Sequence, residues 1–217
     1  DWPAHFGPID LTVHDLPHES SVTEWWYYNM HFTTTDGRNF SAFVAFFRIL
    51  KAVDGNKKYY AHALNWAMTD ADKGTYVQES RLDPDSSKLI LEQLNAPGSM
   101  LKDRRLKKAY EEMLQKGGVP LPDRLFEDEP AVSKGKLDLD YHHAAVQKTV
   151  TGNYHVTAVT TDGKNSLDVT LVPQKAPVRH GLDGVVKGHE GDDMFYYFIP
   201  RNTLSGKVVV DGEELTI

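Results

Sequence analysis

The chain has 217 residues, a formal net charge of −7 and no cysteine. Its 40% hydrophobic and 25% charged residues are ordinary for a globular protein, and its length suits one large all-β domain or two small ones. The acidic balance argues against a nucleic-acid-binding surface, which would need a basic face. The lack of cysteine excludes disulfides, thiolate metal sites and cysteine nucleophiles. No apolar run approaches the ~20 residues of a membrane-spanning helix.

The N-terminal residues predict an extended lead-in over 1–21, because proline, histidine and aspartate are frequent there. The sequence begins at Asp1 and not at a methionine. A cleaved signal peptide would account for such a start, and so would a sequence that omits residues upstream. We therefore expect a secreted or periplasmic location in preference to a cytoplasmic one.

A meander of five strands is predicted after the lead-in. Asp36-Gly37 and Asp54-Gly55 separate the first three apolar runs, and Asp-Gly between such runs is a strong hairpin signal because both residues tolerate positive φ. Neighbouring antiparallel strands favour an up-and-down barrel or a sandwich over a βαβ fold. The five predicted strands cover 22–34, 39–50, 59–68, 75–78 and 89–94.

One helix is predicted at about 99–116. Ser99 can cap its N-terminus, apolar residues then recur at helical spacing, and Gly117-Gly118 ends it. Its first half is basic, which indicates a solvated helix face in preference to a nucleic-acid or lipid patch. Together with the proline-rich acidic loop that follows, the helix forms a predicted insertion over 97–132.

Strand patterns resume after the insertion, so the sequence predicts an all-β domain over 22–217. In total, about ten strands and one inserted helix are expected. The later predicted strands cover 137–141, 154–160, 167–172, 195–199 and 208–210.

The stretch Glu24-Trp25-Trp26-Tyr27-Tyr28 places two of the four tryptophans of the chain side by side, with two tyrosines after them. Side chains alternate along a strand, so Glu24, Trp26 and Tyr28 share one face, and Trp25 and Tyr27 share the other. Large aromatic side chains on both faces indicate that neither face is simply exposed to water. Such a strand is typical of a position between a packed core and a second apolar space, such as the interior of a barrel.

The well-defined catalytic motifs are absent from the sequence. There is no Gly-x-Ser-x-Gly elbow, phosphate-binding loop, dinucleotide fingerprint or His-Glu-x-x-His motif. His142 and His143 are adjacent, so in a strand they point to opposite faces and cannot easily ligate one ion. We therefore expect neither a metal site nor a cofactor.

Polar side chains among the aromatic residues are the candidates for chemistry. Glu24 lies beside two tryptophans, and His62 alternates with Trp66 on a neighbouring predicted strand. Both groups are costly to bury unless they are paired or used, so we predict that Glu24 and His62 are catalytic. An ion pair between Glu24 and Arg48 is the competing structural interpretation. The candidate substrate-binding residues are Trp25, Trp26, Tyr27, Phe43, Trp66, Tyr196 and Tyr197.

Several segments resemble a known family. Thr23 to Tyr28, leading to Asp36-Gly37, is similar to the opening motif of the lipocalin-like hydratase family. This family includes carotenoid 1,2-hydratase (hydroxyneurosporene synthase), kievitone hydratase, predicted secreted hydrolases and related Diels–Alderases. Later stretches that resemble the family, in order along the chain, are Tyr60-Ala61-His62-Ala63, 121–126, Val178-Arg179-His180-Gly181, Tyr196-Tyr197 with Pro200-Arg201, and 206–208.

The resemblance implies a lipocalin-like antiparallel barrel that takes a hydrophobic small-molecule substrate or ligand. Members of the family typically carry two lipocalin-like halves, and this sequence resembles the first. The implied partner is therefore a second lipocalin-like half in the full-length protein.

The activity implied by the resemblance is of hydratase or lyase type. Such an enzyme adds water across a double bond of a hydrophobic isoprenoid, polyene or phenolic substrate. Glu24, kept protonated by apolar surroundings, would supply the acid, and His62 would orient or deprotonate the water. The ring faces of Trp26, Trp66 and Tyr197 would stabilise the cation. The alternatives are a pericyclase or cyclase that folds a polyene and a non-catalytic lipocalin-like carrier.

Overall fold

A computed structural model of the protein describes residues 2–4, 6–96, 104–116, 123–188 and 193–217. Across these ranges there are sixteen strands and two helices, so the all-β prediction is confirmed. Two compact units divide the chain. The first-sheet unit comprises Ser21–Thr33 and Arg38–Pro130, and the second-sheet unit comprises Asp1–Ser20, Thr34–Gly37 and Ala131–Ile217.

Five strands form the sheet of the first-sheet unit, here called the first sheet. The first four pair as antiparallel neighbours, and the fifth joins the fourth in parallel. Gly37 and Gly55 have φ of +92° and +57° in the first two turns, so the Asp-Gly hairpins are confirmed. In order across the sheet, the strands are β1 (Thr23–Thr33), β2 (Asn39–Asp54), β3 (Lys57–Asp70), β4 (Thr75–Leu82) and β5 (Asp123–Leu125).

Two helices, α1 (Ser86–Asn95) and α2 (Arg104–Lys116), lie between β4 and β5 in the sequence. The predicted helix is confirmed for α2, whereas the segments with its expected cap and stop, 97–103 and 117–122, lie outside the described residues. The predicted strand over 89–94 was wrong, because those residues belong to α1. An apolar run this short fits a buried strand and a helix equally well, and here the helical hydrogen bond from Leu89 N–H to Asp85 O marks the start of a helix.

The second-sheet unit contains a seven-stranded antiparallel sheet and two short hairpins. The order across this second sheet is β16-β15-β10-β9-β8-β7-β6, while β11 pairs with β14 and β12 with β13. The predicted strand over 195–199 is thus divided between two hairpins. The bounds are β6 (Ala131–Val132), β7 (Asp138–Asp140), β8 (Ala144–Lys148), β9 (Tyr154–Val159), β10 (Ser166–Pro173), β11 (Val178–Arg179), β12 (Val185–Val186), β13 (Met194–Phe195), β14 (Tyr197–Phe198), β15 (Asn202–Val210) and β16 (Glu213–Thr216).

Both large sheets are open in the part of the chain that the structure describes. Their outer strands are β1 and β5 in the first sheet, and β16 and β6 in the second. Strand pairing in these ranges therefore closes neither sheet into a barrel. The predicted lead-in 1–21 and the predicted domain 22–217 cut across the two compact units, and that division stays a prediction. None of the helices in the described ranges is long and apolar enough to cross a membrane.

Candidate functional site

The first sheet has two chemically different faces, because cross-strand partners share a face and successive residues alternate. One face, which we call the core face, carries Phe46, Leu64 and Trp66, each at most 1% exposed. Trp26 pairs with Phe46 and belongs to the same face. The predicted residues Trp26 and Trp66 are therefore core-face residues.

Glu24 and Arg48 form an ion pair on the core face. They are direct partners in the register of β1 and β2, and Arg48 Nη2 lies 2.5 Å from Glu24 Oε2 with both side chains at most 10% exposed. The guanidinium also lies 4.3 Å from the centre of the Tyr60 ring, which is within cation–π range. The geometry thus supports the interpretation of Glu24 as the ion-pair partner of Arg48. The role of Glu24 as a catalytic acid stays a prediction.

His62 follows Arg48 in the same cross-strand row. It is 6% exposed. Burial lowers the pKa of His62 below its usual 6.5, the carboxylates of Asp83 and Glu129 oppose this shift, and the charge of Arg48 adds to it. The imidazole is therefore neutral at neutral pH, and a neutral ring can act as a base or a hydrogen-bonding group.

A second buried group of charges, which was not predicted from the sequence, lies further along the core face. Glu79 Oε2 is 3.5 Å from Arg81 Nη2, and Glu79 Oε1 is 3.7 Å from Arg124 Nε. Burial lowers the pKa of Arg81, and the neighbouring Glu79 opposes that shift. The alternation of Glu79 and Arg81 along β4 is the sequence signal that could have identified this group. A buried charge needs a charge of opposite sign nearby. This group is therefore explained by the stability of the fold and does not indicate a catalytic role.

The opposite face of the first sheet, which we call the aromatic face, is half-buried and rich in rings. Tyr27 and Phe43 pack with their ring centres 6.2 Å apart. Between the rings stand small side chains, since Ala45 is the cross-strand partner of Tyr27 and Ala67 that of Phe43. Ala67 keeps part of its surface accessible, whereas Ala45 is fully buried, so the rings themselves supply the accessible apolar surface here. The central members of the aromatic face are Trp25, Tyr27, Phe43, Ala45, Phe47, Ala63, Asn65, Ala67, Gln78, Ser80 and Asp123.

Polar groups occupy the other half of the aromatic face. Ser80 Oγ lies 3.5 Å from Asn65 Oδ1, and Gln78 Nε2 lies 3.5 Å from Ser80 Oγ. Asp123 is the register partner of Ser80 on the parallel strand β5. The aromatic face therefore has an apolar half on β1 and β2 and a hydrogen-bonding half on β3, β4 and β5. We call Asn65, Gln78, Ser80 and Asp123 in this second half the polar strip.

The first sheet separates candidate residues that were predicted from the sequence to form one site. Glu24, His62, Trp26 and Trp66 belong to the core face, whereas the remaining first-sheet candidates belong to the aromatic face. Strand alternation already predicts that Trp25 and Trp26 point to opposite faces of the sheet. The predicted site nevertheless contained residues from both faces. Ser80 and Asp123 were not predicted to contribute, because no local motif links β4 to a strand so distant in the sequence. The candidates on the aromatic face are Trp25, Tyr27 and Phe43.

Tyr196 and Tyr197 belong to the second-sheet unit. Tyr197 donates its hydroxyl hydrogen to Asp15 Oδ1 at 2.6 Å, and Tyr154 and Lys148 bind Asp15 Oδ2 at 2.5 and 2.8 Å. Asp15 is 6% exposed and joins the lead-in to the second sheet and to a hairpin. Tyr197 thus has a structural partner.

The ring of Tyr196 stacks on His180 at 4.8 Å between centres. Within the described ranges, no group of three or more His, Asp or Glu side chains could hold a metal ion.

The comparisons with known proteins show likeness at the level of structure. No protein-family profile and no curated protein sequence matches the chain. A crystal structure of a provisionally named AttH protein from Nitrosomonas europaea matches with a TM-score of 0.62 and 15% identity, over 99% of this chain and 54% of that one. Kievitone hydratase from Nectria haematococca matches with a TM-score of 0.55 and 13% identity, over 97% of this chain and 48% of that one.

These matches show a distant fold relationship. At 13–15% identity they establish the fold alone, and the chain spans about half the length of each matched structure. The expected likeness to the lipocalin-like hydratase family is thereby confirmed for the fold, which this chain shares with a kievitone hydratase.

Proposed function

We propose that the aromatic face binds a hydrophobic isoprenoid, polyene or phenolic substrate, as part of a hydratase- or lyase-type enzyme that adds water across a double bond. The observation that carries this proposal is the half-buried set of Trp25, Tyr27 and Phe43 beside small alanine side chains. The fold shared with kievitone hydratase supports hydration as the reaction class.

The chemistry of the two faces supports binding on the aromatic face. The charged side chains of the core face lie against one another, and Trp66 is fully buried there. On the aromatic face, Trp25 and Tyr27 keep part of their surface accessible, as Trp26 and Tyr28 do at the outer strand β1 of the core face. Ring faces of this kind bury apolar ligand surface and stabilise a developing carbocation by roughly 0.5–2 kcal/mol each.

A pericyclase or cyclase is the second candidate function, and the position of the ionisable candidates favours it. Glu24 and His62 lie on the core face, so the aromatic face has neither of them available for proton transfer. A reaction that depends on holding a polyene in a folded conformation needs little acid–base chemistry.

Adjacent residues provide a matched test of the binding face. Trp25→Phe removes an indole from the aromatic face, and Trp26→Phe removes one from the core face. Titration of the intact protein with a phenol that carries an isoprenoid chain, followed by tryptophan fluorescence, should give an about fivefold weaker Kd for Trp25→Phe. Trp26→Phe should keep Kd within about twofold and lower Tm. Equal effects of both substitutions on Kd would show that the aromatic face is not the binding face.

The mass of the product separates the reaction classes. After incubation with the same ligand or a linear polyene, a hydratase gives a product heavier by one water molecule. A cyclase gives an isomer of unchanged mass and altered retention time. Recovery of the unaltered ligand from a tight complex would indicate a carrier and would contradict both enzymatic functions.

A further inference from the structure

We infer that the polar strip, formed by Asn65, Ser80 and Asp123 with Gln78 beside them, recognises a hydroxyl group of an elongated hydrophobic ligand that lies across the strands. This inference rests on the proposed function and narrows its substrate class. It favours isoprenoid alcohols and phenols over hydrocarbon polyenes.

The register defines the direction in which such a ligand lies. Tyr27, Ala45, Asn65, Ser80 and Asp123 form one row, each the cross-strand partner of the next. Neighbouring strands are about 4.8 Å apart, so the row begins at the ring of Tyr27, passes the fully buried Ala45 and reaches the amide of Asn65 two strands later. A ligand along this row has its apolar part on β1 and β2 and its polar end on β3 to β5.

The hydrogen-bonding capacity of the strip is only partly used. Asn65 Oδ1 is engaged with Ser80, while Asn65 Nδ2 and the Asp123 carboxylate have no hydrogen-bond partner in the described part of the chain. Both residues are half-buried. An amide N–H donor and a carboxylate acceptor are therefore available on a surface that a ligand would shield from water.

A hydroxyl group matches this donor and this acceptor better than other oxygen-containing groups do. A hydroxyl accepts one hydrogen bond and donates another, so it can accept from Asn65 Nδ2 and donate to Asp123. A carbonyl or ether oxygen can only accept and would leave the carboxylate without a donor. Hydrogen bonds to a charged acceptor are about twice as strong as neutral ones, so the match with Asp123 carries most of the expected selectivity.

The test compares an isoprenoid-substituted phenol with its methyl ether, which differ in the hydroxyl hydrogen and one methyl group. Isothermal titration of the intact protein should give a Kd about tenfold lower for the phenol. Asn65→Leu and Asp123→Asn should reduce this ratio to within about threefold. Thr69→Val, on the same face of β3 but beyond the polar strip, should keep the tenfold ratio. Melting curves of each variant confirm that the compared proteins are folded.

The outcomes separate this inference from the proposed function. If both ligands bind wild-type protein with equal Kd, or if the preference survives in Asn65→Leu and Asp123→Asn, the inference is overturned and binding on the aromatic face stands. If neither ligand binds, the proposed function fails and the inference fails with it. A preference lost equally in Thr69→Val would also overturn the assignment to the polar strip.

Discussion

Glu24 and Arg48 are direct cross-strand partners, with Arg48 Nη2 2.5 Å from Glu24 Oε2 in nearly complete burial. This pair explains how a carboxylate can stand beside Trp25 and Trp26 in the core of the first sheet. A guanidinium that loses its counter-charge in such a place is left with an unbalanced buried charge.

Glu24→Gln is therefore expected to lower the free energy of unfolding by about 3–5 kcal/mol. Urea denaturation at pH 7 measures this change. The control is Glu19→Gln, because Glu19 pairs with Lys134 on the surface, where both side chains are more than half exposed. An exposed pair contributes at most about 1 kcal/mol. If Glu24→Gln keeps wild-type stability and abolishes turnover, Glu24 is a catalytic acid after all.

His62 should make stability depend on pH below its unfolded-state pKa of 6.5. Burial lowers the pKa in the folded protein, so between that lowered pKa and 6.5 the unfolded chain binds more protons. The contribution of His62 to the free energy of unfolding is therefore fully present above pH 6.5. It decreases as the pH falls towards the folded-state pKa. Denaturation curves from pH 7.5 to 5.5 should show a steeper loss for wild type than for His62→Gln. His31→Gln, at an exposed site on β1, is the control and should keep the wild-type slope. Identical slopes for wild type and His62→Gln would contradict the prediction.

Tyr197→Phe removes one of the hydroxyl donors to the buried carboxylate of Asp15. We expect a loss of about 1–2 kcal/mol in the free energy of unfolding, because a charged acceptor loses one partner and keeps Lys148 and Tyr154. Tyr76→Phe, at a 64% exposed site, should change stability by less than about 0.5 kcal/mol. Ligand affinity is expected to stay unchanged in Tyr197→Phe, and a weaker Kd would support the sequence-based prediction that Tyr197 contacts the substrate.

Gly206 is a position where a side chain cannot be added. Its φ is +139°, and a Cβ atom there would lie 2.2 Å from the carbonyl oxygen of Asp168 and 2.8 Å from Val169 Cα. Gly206→Ala should therefore destabilise the protein by about 3 kcal/mol or more, since backbone strain and overlap add together. Gly212→Ala, at φ +85° with nothing within 4 Å of the added Cβ, should cost only about 1 kcal/mol. Equal Tm values for the two variants would rule out the steric explanation.

Much of the fold follows from local patterns. The Asp-Gly turns and the alternating runs of β1 to β3 were predicted because turn conformation and strand period are properties of neighbouring residues. The short apolar run of α1 was assigned wrongly because a run of that length fits two secondary structures. The sequence also indicated a lipocalin-like hydratase fold, and structural likeness supports it.

By itself, the sequence determined the all-β class, the first hairpins and the opposite orientation of Trp25 and Trp26. Only the tertiary structure decided that Glu24 meets Arg48, that His62 lies on the core face, and that Asp123 reaches the row of Asn65 and Ser80. The physical reason is that alternation is fixed within one strand, whereas the partner of a side chain depends on strand order and register. Those are set by the burial of the whole sheet and cannot be obtained from neighbouring residues.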